Sequence, residues 1–309
     1  MPKMKTSIGG QAIMEGIMMR GPHKTAIAVR KPDKEIEMKV TENSSLVKKL
    51  KLHKIPILRG IVAFLENMII GTRALMYSAE FFELEDEEAE PSKFEKWLDK
   101  VFGEKLKDYV IYFSVLVSMV FAVGLFIVLP NFVVGLFGDL ITDQLKTVIV
   151  SVTKILLFVG YVLLVSRMED IKRVFMYHGA EHKTIHCFES GEELTLENVK
   201  SHTRLHPRCG TSFLLIVMVI SIIVFSFIGW DNPFLRILLI LLLLPIVAGI
   251  SYEIIKFAGR HDNKCTRIIS APGLAFQHLT TKEPTDDMIE VAIAAIKEVI
   301  PENTEEAKW

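Results

Sequence analysis

The sequence predicts a mainly α, polytopic membrane protein with four transmembrane helices, a small N-terminal β-containing cytoplasmic region and an amphipathic helix lying in the membrane interface. Three observations carry that expectation. Half of the 309 residues are hydrophobic and 24% are charged, with 36 basic against 37 acidic side chains, so the two classes must be segregated along the chain. Four runs are apolar enough, and long enough, to cross a hydrocarbon core that takes about 20 helical residues: Tyr109 to Leu129, Thr147 to Ser166, Ser212 to Trp230 and Phe234 to Tyr252. Basic residues gather in the connection between the second and third runs. The same arithmetic excludes a disordered chain, a collagen and a disulfide scaffold. Balanced charge argues against a nucleic-acid partner, and three cysteines, Cys187, Cys209 and Cys265, read as reduced thiols.

Residues 1–54 form the N-terminal cytoplasmic region. Met1 to Arg20 has no continuous apolar stretch and predicts no secretory signal. Thr25 to Lys31 and Glu35 to Thr41 flank Pro32-Asp33, and Ile36, Met38 and Val40 alternate with polar neighbours, so a β-hairpin with one packed face is expected. The glycine-rich stretch from Ser7 to Pro22 matches no phosphate-binding loop and reads as turns carrying Glu15 and Arg20 on a surface. Residues 55–82 are apolar but carry Arg59, Glu66, Arg73 and Glu80 every seven positions, one slowly drifting stripe on a helix. With the polybasic run 48–54 ahead of it, this segment is expected to lie in the interface against anionic lipids of the bilayer. A fifth span is the alternative. Residues 83–108 open with an acidic run and read as a solvated linker and an amphipathic segment.

The transmembrane hairpins are 109–166 and 212–252. Between them, 167–211 carries Arg167, Lys172, Arg173, Lys183, Lys200, Arg204 and Arg208, while the other two connections offer only Lys146. By the positive-inside rule this connection is cytoplasmic, and so are both termini. Lys154, alone inside a span, is too little ionisable chemistry for a transporter. The cytoplasmic C-terminal region, 253–309, holds a helix start at Pro284-Thr285-Asp286-Asp287 before an apolar-periodic stretch to Ile300.

Five of the nine histidines, His178, His182, His186, His202 and His206, crowd with Cys187 and Cys209 into that one connection. Chance placement would give roughly 0.3 histidine pairs at i,i+4; the chain has three, 178/182, 182/186 and 202/206. On a helix, His178 and His182 share a face and can bind one divalent metal ion. Glu181 falls between them, placed to act as general base on water. Zinc leads among the metals if Cys209 takes part, and His206, His202 and His186 are further candidate ligands. His261, Asp262 and Cys265 offer another donor just past the last span.

Three ordered motifs extend this reading: Gly-Gly-Gln-Ala-Ile-Met-Glu-Gly-Ile-Met-Met-Arg-Gly at 9–21, Tyr-His-Gly-Ala-Glu-His-Lys-Thr-Ile at 177–185 and His-Pro-Arg-Cys-Gly-Thr-Ser-Phe at 206–213. Through them the chain closely resembles the YqhQ-like family of bacterial integral membrane proteins, over nearly its whole length to about residue 300. The resemblance implies a metal-dependent enzyme of the bacterial cytoplasmic membrane, with metal-site residues at His178, Glu181, His182, His206 and Cys209. The expectation is therefore a peptidase-like hydrolase in which His178 and His182 are joined by His206 or Cys209. Its alternative is a non-catalytic scaffold or membrane-protein biogenesis factor, clipped together by a structural metal or histidine network and docking a partner such as the insertion machinery.

Overall fold

The computed structural model describes residues 4–43, 54–83, 106–137, 140–261 and 263–307. The acidic run from residue 84 onward and the polybasic run up to residue 53 lie outside them. The chain is mostly helical, with one antiparallel sheet at its N-terminus, and divides into two compact units: residues 1–82, 162–221 and 244–309, and residues 83–161 and 222–243.

The first unit is built around the sheet. Strands β1 (Gly9–Ile13), β2 (Gly16–Arg20), β3 (Lys24–Arg30) and β4 (Ile36–Glu42) form a meander in sequence order. The expected hairpin is β3–β4, paired from Lys24 with Glu42 to Arg30 with Ile36. The stretch read as glycine turns is instead a second hairpin, β1–β2, registered from Gly9 with Arg20 to Ile13 with Gly16. Both faces of β2 and β3 are covered, which explains why β2 has no polar alternation to betray it. Helix α1 (Leu58–Glu83) lays Ile70, Ala74, Tyr77, Phe81 and Phe82 on Ile13, Met18 and Val29. The opposite face, with Ile17, Met19, Ala26 and Ala28, packs on later helices and forms the main core. Polar β4 closes the exposed edge.

Those later helices come from the segment expected to be a loop. Residues 167–211 fold largely into α5 (Glu169–Ser190) and α6 (Leu196–Ser201). From the C-terminal region come α9 (Lys264–Thr280), opened by an Asn263–Thr266 capping box, and α10 (Asp286–Val299), begun at Thr285 as its sequence signals. Tyr177 and Ala180 of α5 and Met288, Ile289, Ala292, Ala295 and Ile296 of α10 are buried together against the sheet. Two of the regular charges of helix α1 stand in defined pairs: Arg59 with Glu253, and Glu66 with Arg20 at 2.5 Å.

Three segments are long and apolar enough to cross a membrane: Phe113–Gly135, Asp143–Val165 and Pro233–Arg260. The first joins α2 (Leu106–Val123) and α3 (Leu129–Gly135) through a π-helical turn, Gly124–Val128. Pro130 sits at the start of α3; its ring would clash with the carbonyl four residues back, and the widened turn relieves that. The others are α4 (Asp143–Val165) and α8 (Pro233–Arg260). Helix α7 (Gly210–Phe225) is equally apolar but only 16 residues, about 24 Å, long. Within the second unit, Arg236 is buried, donates to Asn131 Oδ1 at 3.0 Å and stacks 3.7 Å from the Trp230 ring centroid. Lys154 turns towards a neighbouring helix, its Nζ 5.6 Å from the Phe225 ring.

Candidate metal centre

Helix α5 presents His178, Glu181, His182, His186 and Glu189 at three- and four-residue steps, so they share one face. Residues 200–209 run beside α5 and are tied to it through backbone carbonyls. His182 Nδ1 donates to Arg204 O at 2.6 Å, His186 Nε2 to Leu205 O at 2.9 Å and Lys183 Nζ to Lys200 O at 3.0 Å. Gln277 of α9, fully buried, fixes the turn into α7: it accepts from His206 N–H and donates to His206 O, both at 2.8 Å, and donates to Ser212 Oγ at 3.1 Å.

His178, His182 and Cys209 converge, with one ligand atom from each within 4.8 Å of the others. His178 Nδ1 donates to Thr280 O at 2.9 Å and its Nε2 lies 3.1 Å from Cys209 Sγ. In both imidazoles a backbone carbonyl therefore holds the Nδ1 proton and leaves Nε2 as the inward lone pair, the arrangement that orients metal-ligating histidines. A tetrahedral zinc ion bound by two nitrogens and a thiolate keeps its donors about 3.3–3.6 Å apart; His178 Nε2 and Cys209 Sγ stand 3.1 Å apart, and all three donors lie within 4.8 Å of one another. The donor set, two imidazoles and one thiol among the described residues, is of a chemistry that fits zinc.

Glu181 lies beside this group, 5% exposed, with Oε1 accepting from Gly10 N–H at 3.0 Å. Burial pushes its carboxyl up to about 7, against the opposing pull of His178. Burial likewise pushes His182 down to about 4, with His178 adding to it. For Cys209, burial acts upward but the His182 ring outweighs it, and the thiol falls below its ordinary value. Two glycines make the packing possible. A Cβ on Gly10 would stand 2.8 Å from Met18 O and 3.0 Å from Glu181 Cδ; one on Gly179 would stand 2.1 Å from Lys282 O.

The other expected ligands fall elsewhere. His206 joins His186 and Glu189, the His186 and His206 ring centroids 4.6 Å apart. Glu189 is already engaged by the Arg208 guanidinium and by Thr6 N–H at 2.7 Å, so that group is a buried ion-pair network and a poor cation site. Despite its burial, Glu189 is held below its ordinary range by His206 and Arg208. His202 lies with Cys187 and Glu192, where burial pushes the Cys187 thiol up to about 11. His261 and Cys265 are exposed and belong to no such group among the described residues. Glu15 and Arg20 act as clips: Glu15 binds Arg173 of α5 through both carboxylate oxygens, and Arg20 binds Glu66 and Asn67 of α1. Gly10, Gln277 and Thr280 had no signature of their own in the sequence, since their role depends on partners 65 to 171 residues away.

Residues 55–302 match the family described as "Protein of unknown function (DUF1385)". The chain is 35% identical over 304 residues to "Uncharacterized protein YqhQ" of Bacillus subtilis (strain 168), covering 96% of this chain and 93% of that protein. No solved structure matches it. With the three motifs now lying on β1–β2, on α5 and at the turn into α7, and with the likeness running through almost the full length of both chains, the protein belongs to the YqhQ-like, DUF1385 family.

Proposed function

We propose that this protein is a metal-dependent, peptidase-like hydrolase of the bacterial cytoplasmic membrane, with His178, His182 and Cys209 holding a divalent metal, zinc first, on the cytoplasmic face. The observation that carries the reading is the convergence of two Nε2 atoms and one Sγ, each imidazole locked by a carbonyl, next to a buried carboxylate. The chemistry zinc supplies when bound is Lewis acidity, which brings water to nucleophilic strength near neutral pH. The chain's own residues do the rest. Gly10 N–H holds Glu181 Oε1, leaving Oε2 to take the proton from the attacking water and to return it to the leaving group of an amide, ester or phosphoester. Gln277 and Thr280 hold the turn at 206–209 and the His178 ring in register.

The topology in this reading has four spans. Residues 162–221 and 244–309 share one compact unit, so the chain leaves and rejoins it through α7 and α8. That division supports an even number of crossings, in which α7 would be the partner of α8 despite its length. The segments Phe113–Gly135 and α4 form the other pair, which puts both termini with the basic 167–211 segment on the cytoplasmic side. Helix α1 lies in the interface: one face covers the sheet while Leu65, Met68, Ile69, Leu75 and Met76 remain exposed to meet anionic lipid membrane.

Metal analysis of the purified full-length protein tests the site. About one equivalent of zinc is expected in the wild type and in Glu181→Gln, with loss in His182→Ala and Cys209→Ala. Glu181→Gln should abolish hydrolysis across a panel of peptide, ester and phosphoester substrates. No stoichiometric metal in the wild type ends the reading; cellular function that survives Glu181→Gln points instead to a scaffold docking another membrane complex.

A further inference from the structure

A groove of about 610 Å³ opens between the start of α1 and helices α7, α8 and α9. That volume is typical of a ligand pocket. Its walls include Ile57, Ile216, Ile220, Ile254, Phe257 and Ile268, and every lining side chain is apolar except Glu253. None of these residues belongs to the metal centre. Helix α7 is apolar along its length and α8 is long and apolar enough to cross a membrane, so in a membrane setting the groove would open towards acyl chains.

Its one acid is not free to repel an anion. Arg59 Nε donates to Glu253 Oε1 at 2.7 Å and its Nη2 binds Oε2, a bidentate pair. Next to that pair α8 carries Lys256 and Arg260, with Lys256 in electrostatic range of Arg59, Arg260 and Glu253 itself. Lys256 Nζ stands 5.7 Å from the Tyr252 ring, and Lys5 Nζ caps Gly259 O at 3.0 Å. Among the described residues, Lys5, Arg59, Lys256 and Arg260 gather here, with the carboxylate of Glu253 already paired to Arg59. Ile57, at φ 66°, is a β-branched residue held in the left-handed region, a strain that structures keep where a site is being shaped.

An apolar groove whose one lining acid, Glu253, stands beside a cationic cluster matches one molecule of the bilayer at both ends. We propose that it binds an anionic phospholipid, one acyl chain along Ile216, Ile220, Ile254 and Ile268 and the headgroup phosphate on Lys256 and Arg260. Basic pockets between helices on the cytoplasmic side recognise anionic headgroups in this way. The lipid stitches α1, α7, α8 and α9 together.

The test uses the full-length protein reconstituted in nanodiscs of equimolar phosphatidylglycerol and phosphatidylcholine, released into detergent and weighed by native mass spectrometry. The wild type should retain one phosphatidylglycerol with a preference of about tenfold over phosphatidylcholine. Lys256→Glu with Arg260→Glu should erase the preference, Lys256→Arg should keep it, and Ile254→Trp should lose bound lipid of either kind. Millimolar glycerol 3-phosphate, a headgroup without a chain, should displace nothing. Equal retention of the two lipids by the wild type overturns the proposal without recourse to any variant. So does a preference that survives the double charge reversal, or a lipid-free dimer in which a second copy fills the groove.

Discussion

Gly179→Ala asks the most of the site with the fewest atoms. The added Cβ would lie 2.1 Å from Lys282 O, where ordinary contact begins at 3.4 Å, so the strand-like stretch 281–284 must retreat from α5 by at least 1.3 Å. Retreat is resisted, because Lys282 N–H donates to Phe175 O at 2.8 Å and Lys183 binds Glu283. Overpacking of this kind costs about 1–3 kcal/mol, and a contact of backbone carbonyl with a rigid Cβ belongs at the upper end. For a unit of this size that is a fall in midpoint of about 5–10 °C. The same retreat draws Thr280 O, two residues away, from His178 Nδ1. Loss of such a partner costs about 10- to 100-fold in metal affinity. Thermal unfolding and competitive chelator titration of zinc measure the two effects on one preparation. Gly160→Ala, whose Cβ would have nothing within 4 Å, is the control and should change neither. A Gly179→Ala protein that melts and binds zinc like the wild type would refute the close-approach reasoning.

The other predictions separate the histidine groups and the thiols. His202→Ala should leave bound zinc unchanged, whereas Cys209→Ala should reduce it to background, as read by metal analysis, because only Cys209 shares a group with His178 and His182. Glu189→Ala should destabilise by about 3 kcal/mol through loss of a buried ion pair, both side chains being 8% exposed or less. Glu283→Ala, with its carboxylate 67% exposed, should cost under about 1 kcal/mol in the same unfolding assay. Iodoacetamide at pH 8 should alkylate exposed Cys265 quickly. Cys187, buried and pushed up to about 11, should react only after unfolding, since the thiol is then almost wholly protonated at pH 8; mass spectrometry of the labelled peptides reads both.

What the sequence disclosed and what it withheld divide along contact range. The i,i+4 spacing of His178 and His182 with Glu181 between them is a local fact, and α5 realises it without help from the rest of the chain. The membrane-long apolar runs are local too, although their ends moved: the last extends to Arg260 instead of Tyr252, because Lys256 and Arg260 continue the helix past the apolar window. The choice between His206 and Cys209 is not local. It depends on a turn in which Cys209 N–H donates to His206 O while Gln277 grips the His206 peptide from a helix 71 residues on. That turn sends the His206 ring to His186 and Glu189 and the Cys209 sulfur to His178. The β1–β2 hairpin was hidden for a related reason. Gly10 reads as a turn residue, yet it stands within a strand where a Cβ would strike Met18 O and Glu181, so the property that disguises the strand is the one that lets it reach α5. A single helix could place two imidazoles and a carboxylate. Completing the group takes an N-terminal strand to hold Glu181, the 202–209 segment to bring Cys209, and α9 to lock His178, so the donor set assembles only when all three pieces have folded onto α5. Any ligand that binds that assembled set therefore stabilises the whole unit by mass action, about 2.7 kcal/mol at a hundredfold excess over its dissociation constant, and couples the site to the fold that encloses it.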